Sequence, residues 1–193
     1  MCRVHFPDIL FLMETKNKLE VLAELHVALG YKWFRTIEPD GLSGGLAIFW
    51  KENLDVVVLL EDKNVLDMKI TSGGRVWFLS CIYGNPNPKF RAEVWERVTR
   101  FGSSRKDAWC MIGDFNEILS NDEKIGGKVR HLSSFRQFQT FLQNCDMKEL
   151  GSTGNKFTWR GVRNKQTIKC CLDRCVANPS WLSMFPSGHQ WFL

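Results

Sequence analysis

The chain has 193 residues, of which 44% are hydrophobic and 24% are charged; this composition excludes a disordered chain and predicts one globular domain with a sizeable core. Its longest apolar runs, such as Ile9 to Met13, are far too short to span a bilayer, and the region around Met1 lacks the pattern of a signal peptide. The formal charge of +5 favours an acidic partner. Seven cysteines without paired Cys-x-x-Cys spacing indicate reduced thiols in an intracellular protein.

The first part of the chain predicts a strand, a helix and a meander of strands. Asp8 to Met13 is a short apolar run of the type found in buried strands. Asn17 and Glu20 have the spacing of a capping box, and leucines at helical spacing follow until Gly30 ends the helix. The strands of the meander are predicted at Gly45 to Trp50, Leu54 to Leu60, Val65 to Ile70 and Val76 to Ile82.

The second part alternates helices with short strands. Apolar residues at helical spacing predict a helix between Phe90 and Phe101 and another between Phe135 and Cys145. Asn178-Pro179 predicts the start of a short final helix, with a cap followed by a proline at the first helical position. Strands are predicted at Trp109 to Gly113, Phe157 to Arg160 and Thr167 to Cys171.

Polar side chains follow four of the predicted strands at the point where each strand ends. In chain order they are Glu14, Tyr83, Asp114 with Asn116, and Asp173. Asp114 and Asn116 are separated by one residue, so their side chains emerge on the same side if the strand geometry persists past Gly113. Gly, Asp and Asn also favour turns, and a simple turn is the alternative interpretation of this stretch taken alone. The recurrence at four strand ends favours chemistry, since sites of layered α/β proteins are built where strands end.

Five motifs in chain order resemble those of a known family. They are Met13-Glu14-Thr15, Ile82-Tyr83-Gly84-Asn85, Ile112-Gly113-Asp114-Phe115-Asn116, Phe157-Thr158-Trp159 and Leu172-Asp173-Arg174. Together they resemble the endonuclease/exonuclease/phosphatase superfamily, which includes the apurinic/apyrimidinic endonucleases and pancreatic deoxyribonuclease. The stretches from Ser43 to Trp50 and from Leu172 to Trp181 are more similar still to the endonuclease domain of plant non-LTR retrotransposons of the long interspersed type. The resemblance covers essentially the whole chain and implies an α/β (α+β) fold, a four-layer α/β/β/α sandwich.

The resemblance also implies a reaction: hydrolysis of a phosphodiester in DNA with a bound divalent cation, Mg²⁺ or Mn²⁺. Glu14 would be the metal ligand, because magnesium prefers hard carboxylate oxygen. Asp114 would accept a proton from the attacking water or orient it, and Asn116 would position the phosphate or that water. Tyr83 would donate to a phosphate oxygen, and Asp173 matches the carboxylate that supports a catalytic histidine. A nuclear location is implied in the same way.

Each assignment has a structural alternative. Glu14 would alternatively lead the following helix, and Tyr83 would be a core aromatic with its hydroxyl at the surface. Asp173 would be an ion-pair partner of Arg174 or of a nearby lysine. If there were no site, every one of these structural roles would have to occur by chance at the positions of the family's motifs, in the family's order. The motifs therefore indicate where a site lies. They are weaker evidence that the site is active.

Two departures from the family pattern lower the expected activity. Family members begin with a strand that carries an Asn in a Trp-Asn-x-x-Gly setting, whereas this sequence starts at Met1-Cys2-Arg3. They end in a Ser-Asp-His motif, whereas this sequence has Ser187-Gly188-His189, in which we interpret His189 as an ordinary residue leading into a strand that is missing here. We therefore expect a single domain over residues 1–193, truncated at both ends and weak or inactive as a nuclease, because losing an acid–base or charge-stabilising group lowers the rate steeply.

Two other functions stay open. One is a non-catalytic nucleic-acid-binding or interaction module on the same scaffold, and the other is a phosphatase of the same fold that acts on a phosphorylated small molecule or lipid. Two loose basic groups suit phosphate contacts, although a solvated surface explains each of them equally well. These groups are Lys124, Lys128, Arg130 and Arg136, and Arg160, Arg163, Lys165 and Lys169. The segment from Asp122 to Lys128 lacks the spacing of a phosphate-binding P-loop and predicts a flexible surface loop.

Overall fold

A computed structural model describes residues 5–39 and 44–192, and the chain divides into two compact units, Met1–Trp77 and Phe78–Leu193. The mixed α/β class expected from the sequence is confirmed. Met1-Cys2-Arg3 and Ser43, which entered the comparison of motifs, lie outside the described residues. Within the described ranges, no helix is both long and apolar enough to cross a membrane.

The described part of the first unit combines one helix with five strands. They are β1 Ile9–Met13, α1 Leu19–Leu29, β2 Trp33–Ile37, β3 Leu46–Trp50, β4 Asp55–Glu61 and β5 Val65–Ser72. Strand β3 is the centre of an antiparallel sheet in the order β1-β3-β2, and β4 pairs antiparallel with β5. Because β3 has a partner on each side, its residues Leu46 to Phe49 are fully buried, and Phe49 packs with Leu22 of α1 and with Tyr31.

Helix α1 ends as predicted but does not begin as predicted. The expected capping box is wrong: the N-cap residue is Lys18, which makes no side-chain cap hydrogen bond. Asn17 instead donates its Nδ2 to the carbonyl oxygen of Thr15 at 2.6 Å. Gly30 ends the helix with a left-handed φ of 74°, a conformation that glycine adopts without steric strain.

The described part of the second unit contains nine strands and three helices, the first strand beginning in the last residues of the first unit. The strands are β6 Arg75–Tyr83, β7 Trp109–Asp114, β8 Lys124–Ile125, β9 Lys148–Glu149, β10 Gly151–Thr153, β11 Trp159–Arg163, β12 Gln166–Cys170, β13 Asp173–Ala177 and β14 His189–Trp191. The helices are α2 Arg91–Gly102, α3 Arg136–Asn144 and α4 Pro179–Met184. Asn178 caps α4 by accepting a hydrogen bond from the Trp181 N–H at 2.9 Å, as its sequence predicts.

The main sheet of this unit has the strand order β6-β7-β13-β9. Strands β6 and β7 are parallel, which a crossover through α2 allows, whereas β13 is antiparallel to both β7 and β9. Aromatic rings of α2 and α3 form the adjoining core, since Trp95 lies 5.1 Å from Phe138 and 4.9 Å from Phe141 between ring centroids. Trp95 also stacks with Phe115, which follows β7, at 6.0 Å.

Three strand predictions need correction. Strand β12 ends at Cys170, and Asp173 begins β13 instead of following the end of β12. Strand β2 was not predicted, because its polar residues interrupt the apolar run that marked the other strands. The segment predicted as a flexible surface loop contains β8, which pairs antiparallel with β12 through Lys124 and Ile125.

Candidate functional site

Three neighbouring strands bring Tyr83, Asp114 and Asp173 into one row. Asp114 is the Cα partner of Tyr83 across β6 and β7, and the Cα partner of Asp173 across β7 and β13. Residues in register project to the same face of a sheet, so the three side chains share one face at one edge. Asp173 reaches this edge although it begins its strand, because β13 runs antiparallel to β7.

Asn116 reaches the row through a turn, and the prediction that strand geometry persists past Gly113 is wrong. Strand β7 ends at Asp114, and Asn116 has a left-handed φ of 53°. The Asn116 backbone N–H donates to Asp114 Oδ1 at 2.6 Å, and its side-chain Nδ2 donates to the Gly84 carbonyl oxygen at 2.8 Å. Asn tolerates this conformation better than most residues. The stretch from Gly113 to Asn116 therefore forms a turn, and the same turn places Asn116 beside Asp114 in the candidate site.

Two glycines allow the strand ends to approach each other. The Gly84 N–H donates to the Asp114 carbonyl oxygen at 2.7 Å, and a Cβ atom on Gly84 would lie 2.0 Å from the carbonyl oxygen of Phe115. A Cβ atom on Gly113, whose φ is 135°, would lie 2.0 Å from the carbonyl oxygen of Ile82. A residue with a Cβ atom at either position would clash with the neighbouring backbone. Both motifs therefore need glycine at these positions for a steric reason.

Thr158 holds the start of β13 beside the site. Its Oγ1 accepts hydrogen bonds from the backbone N–H groups of Leu172, at 3.2 Å, and Asp173, at 3.1 Å. The Phe115 N–H donates to the Leu172 carbonyl oxygen at 2.9 Å and so joins this segment to the turn after β7. The sequence placed Thr158 in a motif but gave it no role.

Arg174 lies on the opposite face of the sheet from Asp173, since successive strand residues alternate between faces. Its side chain is 1% exposed, and its guanidinium donates to the carboxylates of Glu123 and Glu149. Asp173 is therefore not its ion-pair partner, which excludes one alternative considered from the sequence. Burial disfavours the charged guanidinium, but the hydrogen bonds and charges of the two glutamates outweigh burial and raise the pKa of Arg174.

Glu117, directly after Asn116, is held from two sides. Its carboxylate accepts hydrogen bonds from Arg91 Nη1 at 2.9 Å and from Arg130 Nη1 at 2.5 Å, and its side chain is almost buried. The sequence analysis missed this ion cluster and the one around Arg174. The sequence offered only a weak signal for these clusters, namely that Glu117 directly follows the Gly-Asp-Phe-Asn motif and that Arg174 directly follows Leu172-Asp173.

Tyr83 is 3% exposed, so its ring belongs to the core as one alternative held. Asp114, Asn116 and Asp173 are half-buried at the same edge. Solvent therefore reaches the polar groups of this edge but hardly reaches the tyrosine. Its role as a donor to phosphate stays a prediction.

Glu14 lies in the first unit, directly after β1, with a left-handed φ of 49°. Its side chain is 51% exposed, and its Oε2 lies 3.9 Å from Lys16 Nζ. Glu20 is the acidic residue in the first turn of α1, so Glu14 does not lead that helix directly. Its role as a metal ligand stays a prediction.

The oxygen atoms at the sheet edge suit a hard divalent cation. Asp114 and Asp173 supply neighbouring carboxylates, and Asn116 supplies a carboxamide. Magnesium is usually held by one or two carboxylates and retains several waters, so these residue types fit it. Within residues 5–39 and 44–192, no group of three or more His, Cys, Asp or Glu side chains is placed to hold a metal.

His189 is the first residue of β14 and is bound elsewhere in the second unit. Strand β14 pairs in parallel with β10, and His189 Nε2 lies 2.8 Å from Thr153 Oγ1. The imidazole also contacts Trp191 edge-on, with ring centroids 5.2 Å apart. Strand β14 therefore begins at His189 itself, and the interpretation of His189 as an ordinary residue stays a prediction.

Comparisons with known proteins agree with this arrangement of motifs. The model of the Endonuclease/Exonuclease/phosphatase family matches residues 1–189. Among solved structures, the endonuclease domain of TRAS1, a telomere-specific non-LTR retrotransposon, superposes with a TM-score of 0.64 at 16% identity, over 94% of this chain and 78% of that chain. An AP endonuclease from Archaeoglobus fulgidus superposes with a TM-score of 0.65 at 16% identity, over 92% and 79% of the two chains.

A third structure is the 3′ phosphatase NExo from Neisseria bound to product DNA hairpin, with a TM-score of 0.62 at 16% identity over 90% of this chain and 77% of that chain. A search of curated protein sequences found no match. At these identities the solved structures establish the fold, while the family model covers nearly the whole sequence and confirms the resemblance seen in the five motifs. The chain belongs to the endonuclease/exonuclease/phosphatase family.

Proposed function

We propose that this chain is a divalent-metal-dependent phosphodiesterase of the DNA endonuclease type, with weak activity. The observation that carries the proposal is the register that aligns Tyr83, Asp114 and Asp173 at one sheet edge, with Asn116 bonded to Asp114. Similar structures include a retrotransposon endonuclease domain, an AP endonuclease and a DNA-bound phosphatase, and these support a nucleic-acid substrate.

The proposed chemistry divides hydrolysis among the polar groups of the site. Asp114 accepts a proton from the attacking water, and the hydrogen bond from the Asn116 N–H to Oδ1 fixes the direction of this carboxylate. Asn116 positions the phosphate or the water, and Tyr83 donates to a phosphate oxygen. A magnesium ion, for which Glu14 is the proposed ligand, would neutralise charge on the leaving oxygen.

The expected weak activity rests on Asp173, whose side chain bonds to no histidine within residues 5–39 and 44–192. In the family pattern Asp173 supports a catalytic histidine, whereas the imidazole of His189 is bonded to Thr153 in a separate strand pair. A general acid or base contributes roughly 10²–10⁴-fold to a rate. The proposed site therefore hydrolyses DNA more slowly than one with that group in place.

A basic sheet supports nucleic acid as the partner. Strands β11, β12 and β8 form a three-stranded sheet in which Arg160 and Lys169 are Cα partners. Like charges directly opposite each other destabilise a strand pair unless an anion neutralises them. Neither cation forms an ion pair with a carboxylate in the part of the chain that the structure describes. DNA phosphates would provide the missing negative charge.

Nicking of supercoiled plasmid in the presence of magnesium tests the proposal. The wild-type chain should nick the plasmid, Asp114→Ala should abolish nicking, and Asp55→Ala, an exposed carboxylate on β4, should leave it unchanged. DNA binding without cleavage would instead identify a non-catalytic binding module. Hydrolysis of inositol phosphates but not DNA would identify a phosphatase.

Two further expectations, about cellular location and domain organisation, accompany this proposal. A DNA substrate implies a nuclear location, which imaging of the tagged chain would test. A single domain over residues 1–193 implies one cooperative unfolding transition, which calorimetry would test.

A further inference from the structure

We propose that Arg174 is a positioning residue of this site, holding the segment that carries Asp114 and Asn116 against the strand that carries Asp173. The inference rests on the proposed phosphodiesterase function for its kinetic consequence. Its structural consequence can be measured without activity.

Arg174 occupies the position directly behind the row of polar side chains. It follows Asp173 in β13 and projects to the opposite face, where its guanidinium lies 5.4 Å from the Phe138 ring. Any displacement of Arg174 along or across the sheet therefore moves the backbone of Asp173 directly.

The same guanidinium bonds to both chain segments that lead into the site. Nη2 donates to the Cys171 carbonyl oxygen at 3.1 Å, just before Asp173, and to the Glu117 carbonyl oxygen at 3.2 Å, just after Asn116. Nη1 and Nη2 donate to the two oxygens of Glu123 at 2.9 and 2.5 Å. The two Nη2 hydrogens serve three acceptors, so one of them is shared between two oxygens; a planar guanidinium can arrange its donors in this way, which a lysine ammonium cannot.

Hydrogen bonds of Glu123 and Glu117 restrain the same segment, from residue 114 to residue 123, at further points. Glu123 Oε2 also accepts a hydrogen bond from the Leu119 N–H at 2.6 Å, so Arg174 and the segment's own backbone share one carboxylate. The Glu117 side chain is fixed by Arg91 and Arg130, as described above. The turn that presents Asn116 is thus restrained at its carboxyl side by several charge-assisted hydrogen bonds.

Stability alone does not account for such a cluster. Replacing a buried ion pair by well-packed apolar residues is often neutral or stabilising, because desolvation offsets the Coulomb attraction. A role in holding site residues in register gives a reason for the buried charges. It also predicts that geometry as well as charge is required at position 174.

The kinetic test compares Arg174→Lys with Arg35→Lys, which alters the exposed ion pair with Glu61 in the first unit. Both variants keep the charge, and only Arg174→Lys removes the bidentate bonding at the site. With plasmid nicking measured below the melting temperature, Arg174→Lys should lower kcat about 100-fold with KM nearly unchanged, because small misplacements of reacting groups lower rates on this scale. Arg35→Lys should leave both constants unchanged.

The structural test follows the side-chain amide of Asn116 by NMR. Since Nδ2 donates to the Gly84 carbonyl oxygen, hydrogen exchange of this amide reports the position of the turn. Exchange should be at least about tenfold faster in Arg174→Lys, by the same sensitivity to geometry, and unchanged in Arg35→Lys. If Arg174→Lys does not fold, Glu149→Gln should give the same change in smaller measure, because Glu149 is the more exposed of the two carboxylate partners.

The outcomes separate the two proposals. A wild-type chain that does not cleave DNA overturns the proposed function, and faster exchange at Asn116 in the variant would still support the positioning role. Unchanged exchange at Asn116 overturns the positioning role whatever the activity. An active wild-type chain with an equally active Arg174→Lys variant overturns it as well.

Discussion

Asp114 and Asp173 are Cα partners across β7 and β13, so two carboxylates lie side by side at the edge of one sheet. Like charges directly opposite each other on neighbouring strands are destabilising. A bound cation would remove this repulsion, and so would neutralisation of either side chain. The pair is therefore expected to oppose folding when no cation is bound.

Asp173→Asn should consequently stabilise the metal-free protein. Relief of the repulsion should raise the free energy of unfolding by about 0.5 kcal/mol, measured by urea denaturation in the presence of a chelator. Asp55→Asn, whose Cα partner is Thr71, should leave the free energy nearly unchanged. A clear loss of stability in Asp173→Asn would contradict the prediction.

Gly84→Ala should destabilise the fold because its new Cβ atom would lie 2.0 Å from the Phe115 carbonyl oxygen. The strand ends must separate to admit it, and we expect a loss of about 3 kcal/mol in the free energy of unfolding. Gly74→Ala is the matched control, since Gly74 has a φ of 74° but nothing within 4 Å of the position of a Cβ atom. That change should lower the stability by only about 1 kcal/mol. Equal losses in both variants would show that close packing at Gly84 is not limiting.

Arg160→Ala combined with Lys169→Ala should weaken DNA binding in a salt-dependent way. Removing one cation that neutralises a phosphate should reduce the slope of log K against log salt by about 1, so the double variant should reduce it by about 2. Fluorescence anisotropy across a salt series measures this slope. Lys148→Ala, an exposed cation on β9, should leave the slope unchanged. A slope that is the same in all three proteins would exclude the β11-β12-β8 sheet as the DNA-binding surface.

The stability of the fold should fall at alkaline pH through Cys145. Burial raises the pKa of its thiol from the ordinary value near 9.0 to about 11. Above pH 9 the unfolded chain releases this proton while the folded chain retains it, so the folded state binds more protons and stability falls until pH reaches about 11. The loss attributable to this thiol should approach about 3 kcal/mol. Urea denaturation at several alkaline pH values should show a shallower fall in Cys145→Ala, and an unchanged slope would contradict the assignment.

Local signals in the sequence located the helix ends and several strands. Gly30 marks the end of α1, and Asn178-Pro179 marks the start of α4, because caps act through backbone conformation and near neighbours. The capping box at Asn17 failed because the helix begins one residue later than expected, with Lys18 as its N-cap residue. Strand β2 was missed because polar residues interrupt its short apolar pattern, so no local signal marked it.

The candidate site was predictable in its residues but not in its geometry. The motifs named Tyr83, Asp114, Asn116 and Asp173. Strand register aligns Tyr83, Asp114 and Asp173, whereas a turn of the chain brings in Asn116. The hydrogen bonds of Arg174 reach residues 25 and 51 positions away along the chain. No local pattern specifies such bonds, so the polar cluster behind the site became visible only in the fold.

The residue at which β13 begins decides whether a negative or a positive side chain lies beside Asp114 at the edge of the sheet. Asp173 and Arg174 are consecutive and project to opposite faces, so deleting Leu172, the single residue between Cys171 and Asp173, would move Arg174 into the register position opposite Asp114. The deletion would put a guanidinium beside Asp114 and move the Asp173 carboxylate to the other face of the sheet. Related chains shorter by this one residue would present a positive charge at the sheet edge without any substitution of Asp173 or Arg174.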